Sequence, residues 1–236
     1  MLGELLSGPC TGAVMKRLKS VILLSGGLDS AANLAFTQAY DEPVLALTID
    51  YGQRAAQREI SASRSLCDYY GVPHQVVACP WLSPLGKSAL THAELELPKL
   101  GAHELDDLRI TASSASAVWV PNRNGVLMNI AAAHAESLGA VRIVVGFNRE
   151  EAATFPDNTG EFLGAMTVSL KFSTANHVQA FSYTTELNKR EIVGKLMELS
   201  TPAFPFERVW SCYLGGVAPC GQCESCQRLT RALRNG

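Results

Sequence analysis

The stretch Ser20-Val21-Ile22-Leu23-Leu24-Ser25-Gly26-Gly27-Leu28-Asp29-Ser30 predicts a buried strand, a glycine turn and the start of a helix. An alanine-rich segment with helical spacing continues to about residue 40. The glycines permit backbone angles that side chains forbid, and the free N–H groups of the first helical turn favour an anion. We expect Ser30 to cap the helix, and the hydroxyls of Ser25 and Ser30 to add donors. The stretch therefore predicts an anion site.

Asp29 distinguishes this loop from a mononucleotide P-loop, in which the G-x-x-x-x-G-K-[ST] pattern has a lysine before the helix. A carboxylate among phosphates implies a bridging cation, and we expect Mg²⁺. Residues 25–30 resemble the SGGxDS loop of the ATP-pyrophosphatase (PP-loop) superfamily, which holds the pyrophosphate of ATP while an acceptor attacks the α-phosphorus. The resemblance implies adenylation, with AMP and pyrophosphate as products. The alternative is a plain serine- and glycine-rich turn.

A chain of 236 residues with 47% hydrophobic content is long enough for one large α/β domain, or for one domain with a small appendage. No apolar run approaches the roughly 18 residues of a membrane span. Residues 1–18 lack the pattern of a signal peptide, and we expect them to be an N-terminal extension of a cytoplasmic protein. Twenty basic and 22 acidic residues disfavour nucleic acid as a partner and favour a small-molecule substrate.

Apolar strands alternate with helical segments, which predicts crossover units and a parallel sheet. Ligands of such sheets lie at the carboxyl ends of the strands. We therefore expect Ser25–Ser30, Asp50–Gln53 and Gly146–Asn148 to converge on one cleft. After the first strand, the predicted strands are Val44–Ile49, His74–Ala78, Arg142–Phe147 and Gln179–Tyr183. The later predicted helices are Ala55–Tyr70, Val126–Leu138, Glu161–Thr174 and Asn188–Leu199.

Two further segments are predicted to lie near this cleft. Residues 81–118 do not follow the alternation, and we interpret them as an insertion that covers the cleft as a lid. The loop Val120–Gly125 leads into a helix, where Pro121 fixes the start, Asn124 caps it and Arg123 places a cation near the cleft. The alternative for Arg123 is a solvated side chain at a capped helix start.

Four of the seven cysteines are clustered as Cys212-x₇-Cys220-x₂-Cys223-x₂-Cys226, a spacing typical of a metal site. Four thiolates match a closed tetrahedral zinc site, whose function would be structural. A redox dithiol and an iron–sulfur cluster are the alternatives. Cys10, Cys67 and Cys79 are scattered; we expect them to be inert, the latter two in the core.

Several motifs together resemble the 7-cyano-7-deazaguanine synthase family, in matching order over residues 19–233. They are Leu24–Ser30, Asp50–Arg54, Val120–Asn124, Trp210–Tyr213 and the clustered cysteines. The resemblance implies an adenine-nucleotide α-hydrolase-like (Rossmann-like) α/β domain over residues 19–200, a four-cysteine zinc-binding segment over residues 201–236, and a homodimer. It also implies a carbon–nitrogen ligase that adenylates 7-carboxy-7-deazaguanine, captures ammonia as the amide and dehydrates the amide to the nitrile, which feeds queuosine and archaeosine synthesis.

The resemblance places pyrophosphate on Ser25–Ser30 and Zn²⁺ on the four clustered cysteines. We add Arg123 and Lys189 as cations that balance phosphate charge, although Lys189 is equally compatible with an exposed position in a first helical turn. The predicted catalytic residues are Ser25, Asp29, Ser30, Arg123 and Lys189. The predicted ATP-binding residues are Leu24, Ser25, Gly26, Gly27, Leu28, Asp29, Ser30, Asp50, Tyr51, Gln53, Arg123, Asn124 and Asp157.

The segment Phe155-Pro156-Asp157-Asn158-Thr159 departs from the family, which reads tyrosine-proline-aspartate-cysteine-arginine. The lost arginine would offer a substrate carboxylate a bidentate partner. Asp157 either recognises guanine-type N–H donors or caps a helix. Two other functions therefore stay open: a paralogue that couples the acid to another amine, on a protein or nucleic acid, and a nucleotide-binding module without turnover.

Overall fold

Five parallel strands form one sheet in the computed structural model, which describes residues 17–199 and 202–234. The spatial order β3-β2-β1-β4-β5 puts the first strand at the centre, and the parallel α/β prediction is confirmed. The strands are β1 (Lys19–Leu23), β2 (Glu42–Asp50), β3 (His74–Ala78), β4 (Arg142–Val144) and β5 (Gln179–Phe181). Within those described ranges, no helix has the length and apolarity needed to cross a membrane.

Eight α-helices are seen in the described part of the chain. They are α1 (Leu28–Tyr40), α2 (Ala56–Tyr70), α3 (Leu108–Val118), α4 (Arg123–Ser137), α5 (Arg149–Ala152), α6 (Gly160–Ser173), α7 (Lys189–Glu198) and α8 (Glu224–Arg234). Short 3-10 helices span Pro80–Leu85, Pro156–Asn158 and Phe206–Arg208. The boundaries of the predicted helices differ from these by a few residues at most.

The central strand is apolar on both faces because helices cover the sheet on both sides. Val21 packs in one core with Met128 of α4, whereas its neighbour Ile22 packs in a second core with Leu34 of α1 and Ile192 of α7. Successive side chains of a strand point to opposite faces, so the run Val21-Ile22 supplies both cores at once.

Two predicted helix caps are wrong. Ser30 is the third residue of α1, whose N-cap is Gly27 and has no side-chain hydrogen bond. Asn124 is likewise inside α4, because Asn122 takes a left-handed conformation (φ 50°) and starts the helix earlier than predicted. Both side chains are thereby released from capping for other contacts.

The alternative that Asp157 caps a helix is also wrong. Thr159 is the N-cap of α6, and its hydroxyl accepts a hydrogen bond from the Phe162 N–H at 3.1 Å. Thr159, one of the residues that depart from the resembled motif, thus has a local structural function as a helix cap.

The segment 81–118 is attached to the cysteine segment by backbone contacts. Lys99 forms an isolated antiparallel bridge with Cys223, and the Leu100 N–H donates to the Gln222 carbonyl at 3.2 Å. Farther along, the Ser114 hydroxyl donates to Glu224 Oε2 at 2.5 Å. The proposed function of this segment as a lid stays a prediction.

Asn33 joins α1 to the chain that follows β5. Its side chain is fully buried, and Nδ2 donates to the Asp29 carbonyl at 2.8 Å and to Thr184 Oγ1 at 2.7 Å. Its Oδ1 accepts from the Tyr183 N–H at 2.8 Å. Because each bond satisfies a polar group away from water, Asn33 fixes the helix that follows the central strand.

Replacing Asn33 with leucine should therefore destabilise the fold. The change keeps the branched shape and the number of side-chain heavy atoms but leaves the Tyr183 N–H unsatisfied, at a cost of about 2–3 kcal/mol. Urea unfolding measures this cost as a lower midpoint with an unchanged slope. Asn129→Leu, at an exposed position of α4, is the matched control and should change stability by less than about 0.5 kcal/mol. Equal midpoints for the two variants would contradict this interpretation of Asn33.

Candidate active site

The carboxyl ends of β1, β2 and β4 open onto one cavity of about 260 Å³. The loop 25–30, Tyr51 and Gln53 after β2, and Gly146 and Phe147 after β4 all contribute to its wall. The predicted convergence of these three segments is thus confirmed. The loop opens into the cavity at the N-terminus of α1, where the backbone N–H groups of a helix attract anions.

Close backbone packing holds the loop on both sides. Gly26 has φ 76°, and a methyl group there would lie 2.8 Å from Ala62 Cβ of α2. A methyl group at Gly146 would lie 2.5 Å from the Ser30 nitrogen. Inside the loop, Ser30 Oγ accepts from the Ser25 N–H at 3.2 Å and lies 3.1 Å from Ser25 Oγ. The two hydroxyls therefore close the loop.

Lys189 is buried at one end of the cavity, so the interpretation as an exposed lysine is wrong. Its ammonium donates to Asp29 Oδ2 and, at 2.8 Å, to Glu151 Oε1. Burial disfavours the charge, but Asp29 and Glu151 outweigh burial and raise the pKa of Lys189. The lysine is therefore charged at neutral pH and lies against the predicted phosphate loop.

Asp29 has one oxygen that the fold does not use. Burial raises the pKa of Asp29 to about 6, against the opposing effect of Lys189. Oδ2 binds Lys189, whereas Oδ1 is buried without a hydrogen-bond partner. A buried acceptor without a partner is costly, and a bound cation or a ligand donor would satisfy it.

A second charged network, missed from the sequence, borders the same end of the cavity. Arg228 of α8 forms ion pairs with Glu150 at 2.8 Å and with Glu224 at 2.8 Å. Glu150 Oε1 also accepts from the Lys189 N–H at 2.9 Å. The four-residue spacing of Glu224 and Arg228 is a sequence signal for a helical ion pair, but nothing in the sequence pairs Arg228 with α5.

Arg123 lies in the wall beside Tyr51 and is not the solvated side chain of the alternative interpretation. Its Nη1 donates to the Tyr51 hydroxyl at 3.2 Å, and Nε donates to Asn124 Oδ1 at 3.3 Å. Asn124 in turn donates to the Asp157 carbonyl at 3.3 Å. The start of α4 is thus joined to the turn before α6.

The side-chain amide of Gln53 forms its hydrogen bonds within the protein. Oε1 accepts from the Tyr51 N–H at 2.9 Å, while Nε2 donates to the Ile49 carbonyl at 3.0 Å and to Glu59 Oε2 at 2.8 Å. Glu59 also lines the cavity and was missed from the sequence. Gln53 therefore fixes the turn after β2 and orients the carboxylate of Glu59.

Three predicted ATP-binding residues, Gly26, Asp50 and Asp157, lie outside the cavity wall. Asp50 Oδ1 accepts from the Gly52 N–H at 3.1 Å, and Asp157 Oδ1 accepts from Asn158 Nδ2 at 3.1 Å. The other predicted ATP-binding residues line the cavity. From the divergent motif, Phe155 and Asn158 lie in the wall.

The four clustered cysteines come together, with sulfur atoms all within 4.8 Å of one another. A tetrahedral site with Zn–S bonds of about 2.3 Å needs sulfur separations near 3.8 Å, and Cys220 and Cys226 are 3.9 Å apart. Backbone N–H groups of Leu214 and Cys220 donate to Cys212 Sγ at 3.3 Å. The cluster therefore fits a metal ion.

The other cysteines behave as predicted where they are described. Cys67 and Cys79 are buried and unpaired, and burial raises the pKa of each thiol. Cys10 lies outside the described residues.

The cysteine segment also contacts the loop 25–30 directly. The Trp210 N–H donates to the Gly26 carbonyl at 2.8 Å, and Ser211 Oγ accepts from the Leu28 N–H at 3.4 Å. Ser211 and Cys212 both line the cavity. A metal bound by the cysteines would thus brace one wall of the site.

Comparison with known proteins assigns the family. The profile of the family described as "Queuosine biosynthesis protein QueC" matches residues 19–236. The 7-cyano-7-deazaguanine synthase of Desulforamulus reducens is 51% identical over 92% of this chain and 94% of that protein. The protein of the same name from Desulforudis audaxviator is 52% identical over 92% of this chain and 97% of its own. NMN synthetase from Francisella tularensis covers 89% of this chain and 71% of its own, at 14% identity and a TM-score of 0.46, too low to bear on the assignment. On the profile and the two relatives, the chain belongs to the QueC family.

Proposed function

We propose that this protein is an ATP-dependent carbon–nitrogen ligase that makes 7-cyano-7-deazaguanine from 7-carboxy-7-deazaguanine and ammonia. The observation that carries the proposal is the pairing of Lys189 with Asp29 of the loop 25–30, at a cavity on the carboxyl end of the sheet. This arrangement suits the phosphates of ATP. The substrate that accepts the AMP is inferred from two relatives, 51% and 52% identical to this chain, which are named 7-cyano-7-deazaguanine synthase.

The loop and Lys189 would bind the phosphates of ATP. The N-terminus of α1 offers N–H groups, and the ammonium of Lys189 would turn from its carboxylates to the phosphate oxygens. Asp29 Oδ1, buried without a partner, fits Mg²⁺, a cation that prefers oxygen ligands. When bound, the cation would neutralise phosphate charge.

The reaction then follows from the bonds that must form and break. A carboxylate oxygen of the acid attacks the α-phosphorus, and pyrophosphate leaves toward the loop. Ammonia attacks the acyl carbon, the C–O bond to AMP breaks, and the nitrogen loses a proton. A second ATP activates the amide oxygen in the same way, after which loss of AMP and two N–H protons leaves the nitrile. The protein orients these groups and excludes water.

The two alternative functions are not favoured. A different amine acceptor or a module without turnover was left open by Asn158 and Thr159, but the curated relatives carry the synthase name. Thr159 serves as the cap of α6, and only Asn158 of the two faces the cavity.

Product analysis tests the reaction directly. Incubation with ATP, Mg²⁺, ¹⁵N-labelled ammonium and 7-carboxy-7-deazaguanine should give AMP, pyrophosphate and a nitrile that carries the label, as read by mass spectrometry. Omission of the acid is the control and should stop AMP release. The proposal is wrong if neither labelled amide nor labelled nitrile forms.

Lys189→Met should reduce acid-dependent pyrophosphate exchange by about 100-fold or more, because a charged donor to the phosphates is lost. Lys195→Met, at an exposed position of the same helix, is the matched control and should keep the rate of the unchanged protein. Exchange measured with labelled pyrophosphate reports adenylation without the ammonia step. A Lys189→Met variant that is folded and exchanges within a few-fold of the unchanged rate would remove Lys189 from this function.

The cysteine cluster is proposed to hold one structural Zn²⁺. Cys223→Ser should lower the zinc content measured by atomic emission and reduce the midpoint of urea unfolding, because metal binding and folding are coupled. Cys67→Ala, a buried cysteine outside the cluster, should keep the metal. Iron instead of zinc in the purified protein, or full zinc in Cys223→Ser, would contradict this assignment.

A further inference from the structure

Glu59 is a carboxylate of the cavity wall to which the reaction above assigns no function. It lies in the first turn of α2, and Gln53 Nε2 holds its Oε2 at 2.8 Å. The other acidic residues of the wall, Asp29, Glu151 and Glu224, each form an ion pair with a lysine or arginine. Among the described residues, Glu59 forms no such pair within 4.0 Å. It is therefore available to a ligand with hydrogen-bond donors.

The two flanks of the phosphate loop differ in chemistry. On the β4 side, Lys189 and Glu151 border the loop and suit phosphates and a cation. On the β2 side, the wall includes Leu47 and Ile49, and Leu23 of β1 lies beside Leu47; these apolar side chains suit an aromatic base. If the phosphates occupy the loop, as the proposed function requires, the nucleoside extends over the β2 side.

Glu59 lies at the boundary between the loop and this apolar wall. A methyl group at Gly26 would lie 3.0 Å from the Glu59 carbonyl, so the first turn of α2 packs directly on the loop. The sugar of a nucleotide joins its phosphates to its base, and this boundary is where the sugar would lie. From this position we propose that Glu59 binds the 2′- and 3′-hydroxyls of the ATP ribose and so selects ribonucleotides.

The chemistry of a vicinal diol matches this carboxylate. Two neighbouring hydroxyls supply two O–H donors, and an ionised carboxylate accepts both, as acidic residues do for ribose in other nucleotide sites. Gln53 Nε2 donates one hydrogen bond to Glu59 Oε2 and so fixes the orientation of the carboxylate. The pKa of Glu59 is raised, mainly by burial and in smaller part by Asp50. The hydrogen bond from Gln53 and the charge of Arg123 oppose this rise. Hydroxyl donors would favour the ionised form further.

Calorimetric binding of ATP, 2′-deoxy-ATP and 3′-deoxy-ATP tests the inference without the acid or turnover. The unchanged protein should bind ATP about tenfold more tightly than either deoxy analogue, since a hydrogen bond to a charged group is lost in each. Glu59→Gln should lower that preference to about twofold, because an amide has only one acceptor oxygen. Glu161→Gln, an exposed residue of α6, is the matched control and should keep the tenfold preference of about 1.4 kcal/mol.

Equal binding of the three nucleotides by the unchanged protein would overturn the inference, and this result does not depend on the folding of a variant. A Glu59→Gln protein that keeps the preference but loses amide formation would also overturn it and would assign Glu59 to the acceptor step. If ATP is preferred in the predicted way and no nitrile is made, the proposed function fails while the ribose site stands.

Discussion

The burial of a lysine beside the loop 25–30 is the constraint on which the arrangement of the site depends. An ammonium removed from water needs compensating charge, and Lys189 has it from Asp29 on α1 and Glu151 on α5. These three residues come from three different helices. Loss of Lys189 would leave both carboxylates without their shared partner, and loss of either carboxylate would leave the ammonium with one partner instead of two. The ion pairs therefore hold α1, α5 and α7 in one relative position at the end of β4.

The same constraint extends to the C-terminal segment. Glu150, next to Glu151, binds both the Lys189 backbone and Arg228 of α8. Arg228 and Ser114 then occupy the two oxygens of Glu224. The charges at this end of the cavity thus form one connected set that includes a residue of the segment 81–118. Such a network contributes mainly by fixing the relative positions of the helices that it joins, and less by the strength of each ion pair.

Much of this fold was predictable because β1 carries two signals at once. Val21 and Ile22 indicate a strand buried on both faces, and the glycines of the loop 25–30 mark the turn into α1. The cysteine spacing was equally informative, since two-residue gaps bring sulfur atoms of one turn together. Patterns of this kind can be recognised in the sequence because the residues that come together are also near each other along the chain.

Other parts of the site could not be predicted because their partners are distant in sequence. Glu151 and Lys189 are 38 positions apart, and Glu150 and Arg228 are 78 apart, with no pattern that links them. The caps failed for a different reason. Asn122 adopts a left-handed conformation and moves the start of α4, so the asparagine two positions later enters the helix.

The contact between Trp210 and Gly26 has a consequence for the order in which the molecule assembles. The loop carbonyl is satisfied by an N–H that is synthesised after all five strands, and Leu28 meets Ser211 across 183 positions. Contacts this distant form late, because closing a long stretch of chain carries an entropic cost. During synthesis the sheet can form while the loop still lacks these partners. The wall of the candidate site is therefore complete only after the C-terminal segment has been synthesised.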